Sequence, residues 1–161
     1  MVKFFESKKY LSNFFLKFKL FFRKDVCFKN LEGTEWIQIE LPSTNGIVSC
    51  TNSGKNSLWI IDCFGDVFMR TGICRGNPCG KQWLSVTNDA IKCGFKQIGL
   101  GENTVWALDN EGNVFYRVGI SENKPDGTNW THIPGLMSNI SVSFTDQVII
   151  LISKLQLIIK I

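Results

Sequence analysis

Histidine is nearly absent from this sequence of 161 residues, which contains only His132. A single histidine excludes a metal site built on a histidine pair and argues against a catalytic relay. The sequence also has no phosphate-binding loop and no Gly-x-Ser-x-Gly element, and Gly99-Leu-Gly101 lacks the further glycine of a dinucleotide-binding fingerprint. We therefore predict a protein that is not an enzyme and that holds no metal and no cofactor.

Long apolar runs are missing as well. No run reaches the roughly 18–20 apolar residues that a membrane-spanning helix requires. The most apolar stretch near the start, residues 11–22, is interrupted by Lys17 and Lys19, whereas the apolar region of a secretory signal peptide is unbroken. These absences predict a soluble protein of the cytoplasm.

Acidic side chains are scarce in residues 1–30, which hold two against eight basic ones, while residues 31–161 hold twelve acidic and ten basic. A nucleic-acid-binding face beyond residue 30 is therefore not expected. Residues 1–30 also predict an amphipathic helix, which could lie on a membrane surface, pack on the rest of the fold, or be foreign to it. The helical spacing is carried by Leu11, Phe14, Phe15, Phe18, Phe21 and Phe22.

What the sequence does contain is aromatic residues and an internal repeat. Thirteen Phe, five Trp and a hydrophobic content of 44% indicate a folded core. Residues 57–73 and 101–120 share one skeleton, in which Trp is followed by Asp-x-x-Gly-x-Val-Phe-x-Arg-x-Gly-Ile. The matching residues lie 47 positions apart: Trp59 and Trp106, Asp62 and Asp109, Gly65 and Gly112, Arg70 and Arg117, and Gly72 and Gly119.

A second part of the repeat has the same 47-residue spacing and is centred on Trp36, Trp83 and Trp130. Each unit offers about four short strands with Gly, Asn and Asp turns between them, which is typical of a β-propeller blade. We predict an all-β, partial propeller of about three four-stranded blades. The first strands are expected at 33–39, 80–86 and 127–133, the second at 46–50, 96–100 and 139–143, and the units at about 31–78, 79–125 and 126–161.

Most of the repeated residues have a folding explanation. Asp62 with Gly65, and Asp109 with Gly112, suit a type I turn in which the Asp caps backbone amides and the Gly accepts positive φ. The tryptophans are expected in the core, with stacking on sugar rings as the alternative. The arginines could stack on a Trp face, pair with an acid of the next blade, or bind a phosphate group. Cys74 and Cys79 could form a disulfide or stay reduced.

Two segments, Val105-Trp-Ala-Leu-Asp109 and Gly127-Thr-Asn-Trp-Thr-His-Ile-Pro-Gly-Leu136, carry a family resemblance. They resemble the tectonin β-propeller repeat family, and the similarity covers roughly residues 31–150. The resemblance implies a six-bladed type of propeller that acts by binding. A closed propeller needs at least four blades, and this chain has about two and a half to three repeats. It would therefore be a fragment of a longer chain, assemble with another copy, or come from a truncated gene model. The segment from residue 153 onward abandons the repeat pattern, which favours a fragment.

The resemblance implies one of two functions. Intracellular members are linked to autophagy and tether autophagosomes to lysosomes, whereas others are lectins that bind lipopolysaccharide or methylated sugars. The segment from residue 126 to 135 looks more like the intracellular group, which implies a cytoplasmic protein peripheral to autophagosomal or lysosomal membranes. The expected partners are proteins or membrane lipids, or a glycan in the lectin alternative, bound through loops between blades, and no nucleic acid.

Overall fold

The computed structural model describes residues 2–4, 19–42, 47–53, 57–86 and 94–152. Within these ranges every regular element is a β-strand, which confirms the all-β prediction, and no helix long and apolar enough to cross a membrane occurs there. The first strands, in chain order, are β1 (Val2–Phe4), β2 (Leu20–Arg23), β3 (Trp36–Ile39), β4 (Ile47–Ser53), β5 (Ser57–Asp62), β6 (Val67–Arg70) and β7 (Trp83–Ser85). The remaining strands are β8 (Phe95–Leu100), β9 (Val105–Asp109), β10 (Asn113–Val118), β11 (Asn129–Leu136), β12 (Asn139–Val142) and β13 (Val148–Leu151).

These strands form four antiparallel sheets in which neighbours in sequence are neighbours in space. The first sheet has the order β1-β2-β3, the second β4-β5-β6-β7, the third β8-β9-β10-β11 and the fourth β12-β13. The second and third sheets are complete four-stranded blades, and the four sheets follow one another along the chain. This arrangement is a partial propeller, as the sequence predicts.

The boundaries of the sheets differ from those of the sequence units. Each tryptophan strand was expected to open a unit, but it pairs with the preceding hairpin, as Arg70 opposite Trp83 and Arg117 opposite Trp130 show. It is therefore the last strand of one sheet, and the next sheet begins after it. Similarity between repeat copies gives the period of 47 residues but does not reveal where within that period a sheet starts.

The N-terminal segment also departs from expectation. The predicted helix is wrong for Leu20, Phe21 and Phe22, which lie in β2 and pair with Ile39, Gln38 and Ile37 of β3. A run of adjacent apolar residues fits the two-residue period of a strand as well as a helical stripe, and pairing with β3 decides between them. Repeat geometry thus extends upstream of residue 31. Residues 5–18, with most of the predicted helix, lie outside the described residues.

The predicted Asp turns are confirmed. One carboxylate oxygen of Asp62 accepts the amides of Phe64 and Asp66, both at 3.0 Å, and Gly65 has a φ of 86°. The equivalent oxygen of Asp109 accepts the amides of Glu111 and Asn113 at 2.9 and 2.8 Å, and Gly112 has a φ of 93°. Both aspartates are buried, so water would not replace a removed carboxylate and the turn amides would be left without hydrogen-bond acceptors.

The hydrophobic core lies between successive sheets. Trp59, Ile61 and Met69 of the second sheet pack against Ile98 and Ala107 of the third, all of them at most 5% exposed. Smaller clusters join the other pairs of sheets, with Leu20, Ile39 and Leu58 between the first and second and with Leu108, Val114 and Ile140 between the third and fourth. Because each such side chain stabilises the fold by about 1.5–3 kcal/mol, sheet-on-sheet packing is the main source of stability.

Candidate binding surface

The same arginine–tryptophan contact occurs in three successive sheets. In each, the guanidinium of an arginine at or next to the end of one strand lies over the ring of the tryptophan opposite it in the next strand, within the range of a cation–π interaction. The distances from the guanidinium carbon to the ring centroid are 5.0 Å for Arg23–Trp36, 5.3 Å for Arg70–Trp83 and 5.3 Å for Arg117–Trp130. We call these contacts the arginine–tryptophan pairs. The stacking that the sequence offered as one alternative is therefore present.

Each arginine also holds the loop that connects the two strands of its pair. Arg70 Nε donates to the carbonyl of Cys79 at 3.0 Å, and Arg117 Nε donates to the carbonyl of Asp126 at 2.7 Å. Burial lowers the pKa of both guanidinium groups. Since ring face and loop carbonyl occupy these arginines, they close the loop and are poorly placed to hold a phosphate.

Two glycine positions allow this closure. Gly80 and Gly127 have φ values of 68° and 65°, and a Cβ there would lie 2.5 Å from the Thr71 carbonyl oxygen and 2.6 Å from that of Val118. Gly72 and Gly119 lie near the start of the same loops, also with positive φ.

In the first sheet, Asp25 occupies the position of Gly72 and Gly119, with a φ of 56°. Its carboxylate accepts the hydroxyl of Thr34 at 2.8 Å. The first loop therefore keeps the backbone shape of the others with a different residue.

The three loops present different side chains at equivalent tips. They span residues 24–35, 71–82 and 119–128 and are called the variable loops. In each, two residues near the tip exchange backbone hydrogen bonds: Cys27 with Asn30, Cys74 with Asn77, and Ser121 with Lys124. Just inside the bridge lie Phe28, Arg75 and Glu122, which are all exposed, Phe28 to 95%. Each loop connects the last two strands of its own sheet, so the three loops lie at the same end of their sheets. A common scaffold thus displays an apolar, a basic and an acidic side chain there.

The tryptophans are used mainly inside the fold. Trp59 is 1% and Trp130 5% exposed, and Trp83 is partly buried. Two indole nitrogens join neighbouring sheets, because Trp83 Nε1 donates to the Glu40 carbonyl at 2.6 Å and Trp130 Nε1 to the Val86 carbonyl at 3.1 Å. These side chains do not present a free ring face for a sugar.

Trp106 and Trp36 differ from this pattern. The Trp106 ring lies 5.7 Å from that of Tyr116, and its buried Nε1 has no hydrogen-bond partner among the described residues. Trp36 is 38% exposed. It is the tryptophan of the first sheet, and no described strand precedes that sheet on its outer side.

The cysteines and the histidine in the described part of the chain form no disulfide and no metal-binding group. Cys27, Cys63, Cys74 and Cys79 are free thiols, and burial raises the pKa of Cys79. Cys27 and Cys74 are 47 residues apart and occupy equivalent loop positions, a match that a repeat beginning at residue 31 does not include. His132 is an exposed strand residue beside Phe115, and the described residues contain no group of three His, Cys, Asp or Glu that could hold a metal ion.

An acidic contact joins the third and fourth sheets. The carboxylate of Asp146, in the turn between β12 and β13, accepts the Asn103 amide at 3.0 Å and the Thr104 hydroxyl at 2.8 Å. Burial alone would raise the pKa of Asp146, but the hydrogen bonds from Asn103 and Thr104 outweigh it and lower the pKa. Asp146 has a φ of 62°, and sequence comparison could not find it, because the third unit lacks the repeat signature.

Fold and repeated contacts together define a β-propeller repeat protein. Two segments, residues 57–86 and 104–133, match the family model Hyd_WA, described as a propeller. Each runs from the second strand of a sheet to its tryptophan strand, and the offset between them is the 47 residues of the repeat. The match confirms the tectonin-type propeller resemblance at these two repeats.

Comparison with solved structures gives matches at low sequence identity. Human WBSCR16 is 11% identical, with a TM-score of 0.54 over 85% of this chain and 40% of that one. YCF48 bound to D1 peptide is 19% identical, with a TM-score of 0.48 over 76% of this chain and 40% of that one. YCF48 from Cyanidioschyzon merolae is 16% identical, with a TM-score of 0.46 over 73% and 37%. This chain thus spans about 40% of the length of such structures. No curated protein sequence shows significant similarity to it.

Proposed function

We propose that this chain is a non-enzymatic binding module that recognises its partner through the variable loops. The observation that carries the proposal is the division of labour within the repeat. The repeated Arg, Trp, Asp and Gly residues are engaged in loop closure, turns and packing between sheets, whereas the equivalent tip residues Phe28, Arg75 and Glu122 are exposed and chemically different. A propeller that keeps its framework and varies its loop tips is organised for recognition.

The finer proposal is that the partner belongs to an autophagosomal or lysosomal membrane, so that the module serves membrane tethering from the cytoplasmic side. Support comes from the resemblance to the intracellular tectonin-type proteins and from the mixed chemistry of the three tips. An apolar, a basic and an acidic group at equivalent loop tips suit a protein surface better than a uniformly anionic lipid surface. We therefore place a membrane-associated protein first among the partners.

The test is co-sedimentation of the full chain with isolated autophagosomal and lysosomal membranes. A variant with Phe28→Ala, Arg75→Ala and Glu122→Ala should lose at least about tenfold in affinity if these tips form the contact. The matched control is Cys63→Ala with Phe64→Ala, which alters an exposed turn at the other end of the second sheet. Binding of this control should equal that of the wild-type chain.

Treating the membranes with protease separates the two kinds of partner. Loss of binding after treatment supports a protein partner, and unchanged binding indicates lipid. Equal binding by the loop variant and the wild type would overturn the role of the variable loops. Binding to a glycan array that Trp36→Ala abolishes would favour the lectin alternative instead, because Trp36 is the most exposed of the five tryptophans.

A further inference from the structure

The fourth sheet exposes an apolar face, although the equivalent face of the third sheet is buried. β13 occupies the position of β9 in the third sheet, because each is the second strand and pairs with the first strand of its sheet. In this alignment Leu151 corresponds to Leu108, which is fully buried against the next sheet. Leu151 is 62% and its neighbour Ile149 72% exposed. The face that receives a following sheet is therefore formed, but none of the described residues covers it.

The first sheet contains the complementary strands. The register of β2 with β3, which places Leu20 opposite Ile39 and Arg23 opposite Trp36, repeats that of β10 with β11. β2 and β3 are thus the third and fourth strands of a blade, while β12 and β13 are the first and second. Joined in one sheet, these two pairs make a complete blade.

The second-strand position of the first sheet is occupied by β1, whose sequence fits poorly there. Its register places Lys3 opposite Phe21. The same register position holds Ile60 in the second sheet and Ala107 in the third, both 0% exposed, and Ile150 in β13. By its residue types, β13 is a better second strand for this sheet than β1.

We propose that two copies of this chain associate head to tail, with β13 of one copy replacing β1 beside β2 of the other. The repeat register then places Leu151 opposite Leu20, Ile150 opposite Phe21 and Ile149 opposite Phe22 of the second copy. Each junction completes one four-stranded sheet, and each copy supplies two complete sheets of its own. The closed dimer has six blades, within the range of four to eight found in propellers.

The exposed Trp36 acquires its missing environment in this arrangement. Within one chain, the indole nitrogens of Trp83 and Trp130 each donate to a carbonyl just after the tryptophan strand of the preceding sheet. These carbonyls belong to Glu40 and Val86. The proposed junction sets Trp36 of the second copy against the third sheet, where Ile133 holds the position of Val86. The interface is therefore a continuation of one that the chain already forms twice.

The assembly is tested by mass and by disulfide trapping on the full chain. Light scattering of the purified protein should give twice the monomer mass of 18.3 kDa. For trapping, Cys27, Cys63 and Cys74 are changed to Ser, and Phe22→Cys and Ile149→Cys are made in separate chains. Since side chains directly opposite on one sheet face are close enough for a disulfide, an equimolar mixture should give a cross-linked dimer that neither variant gives alone.

The matched control is Phe21→Cys mixed with Ile149→Cys. Residue 21 is adjacent to residue 22 but faces the other side of the sheet, so this mixture should not cross-link. Three results would each overturn the proposal: a monomer at about 100 µM, no cross-link in the first mixture, or equal cross-linking in both mixtures. Growth into larger open polymers would also overturn it, because a head-to-tail contact closes into a ring only at the right rotation.

A charge on the open face supplies an independent measurement. Leu151→Lys should weaken dimerisation by about tenfold or more, because an ammonium group would be buried at the junction. Phe144→Lys is the control, since Phe144 is 56% exposed in the turn before β13 and lies outside the paired face. Circular dichroism verifies that both variants fold. A dimer that Leu151→Lys leaves intact would contradict the proposed junction.

Discussion

The arginine–tryptophan pairs of the first and third sheets share a geometry and differ in their surroundings. The guanidinium lies 5.0 Å from the ring in Arg23–Trp36 and 5.3 Å in Arg117–Trp130, yet Trp36 is 38% and Trp130 5% exposed. Trp130 also donates to the Val86 carbonyl of the preceding sheet. The pair is therefore a local device that closes a loop, and burial of its tryptophan depends on the neighbouring sheet.

The largest effect is expected where that neighbour is present. Trp130→Ala should lower the free energy of unfolding by about 3–5 kcal/mol, because it leaves a large cavity in the core between two sheets. Trp36→Ala, measured in the Leu151→Lys background to keep the chain monomeric, should cost about 1 kcal/mol, the size of an exposed cation–π contact. Urea unfolding measures both. Equal losses would mean that the pair itself, and not the adjoining sheet, sets the stability.

The buried Asp turn of the third sheet should come next. Asp109→Ala removes the acceptor of two backbone amides and of the Asn113 side chain, and each buried donor left unpaired costs about 1–3 kcal/mol. We expect a loss of about 2–3 kcal/mol in urea unfolding. Glu111→Ala, in the same turn but exposed, is the control and should change stability by less than about 0.5 kcal/mol. A comparable loss in the control would show that the turn tolerates no change at all.

The loop glycines should respond equally in both sheets. Gly33 and Gly127 each have a φ of 65° and a loop carbonyl in the path of a Cβ. Because this contact lies within the loop, Gly33→Ala and Gly127→Ala should each cost about 1–3 kcal/mol whatever the neighbouring sheet does. Gly76→Ala, where a Cβ would meet nothing within 4 Å, should be neutral or slightly stabilising. Markedly unequal losses at residues 33 and 127 would refute a purely local role.

The smallest effect concerns pH at the junction of the third and fourth sheets. A lowered folded-state pKa means that the Asp146 carboxylate contributes stability above its unfolded pKa of about 3.9 and loses it as pH falls through the folded value. Asp146→Asn should therefore be slightly less stable than the wild type at pH 7, and the difference should shrink below about pH 4. Thermal unfolding as a function of pH measures it, and a difference independent of pH would contradict the assignment.

Local signals in the sequence predict the architecture well. The 47-residue period, the Asp turns and the strand positions beyond residue 30 follow from side-chain identity and short-range periodicity, and the structure confirms them. Sheet boundaries do not follow, because pairing of Arg70 with Trp83 joins segments that the repeat alignment treats as separate units. The arginine of the first pair was missed although Arg23 lies 47 residues before Arg70, since apolar residues around it suggested a helix.

The candidate surface was predictable only in outline. Sequence comparison indicates that function lies in loops that differ between units, but not which loops share an end of the sheets. That requires the strand order, which brings Phe28, Arg75 and Glu122 to equivalent tips. Asp146 lies in a turn without a counterpart in the repeat pattern, so its contact with Asn103 becomes visible only when the third and fourth sheets are placed side by side.

The offset between sequence unit and sheet sets rules for dividing this chain. Every 47-residue copy that begins at a tryptophan strand contributes its first strand to one sheet and its other strands to the next. Each copy therefore supplies strands to two adjacent blades. An expression boundary at residue 79 or 126 would strip the outer strand from a blade and leave its arginine without a ring to cover. Boundaries after Ser85 or after Leu136 keep each blade whole, and duplication of a segment cut there adds one entire blade.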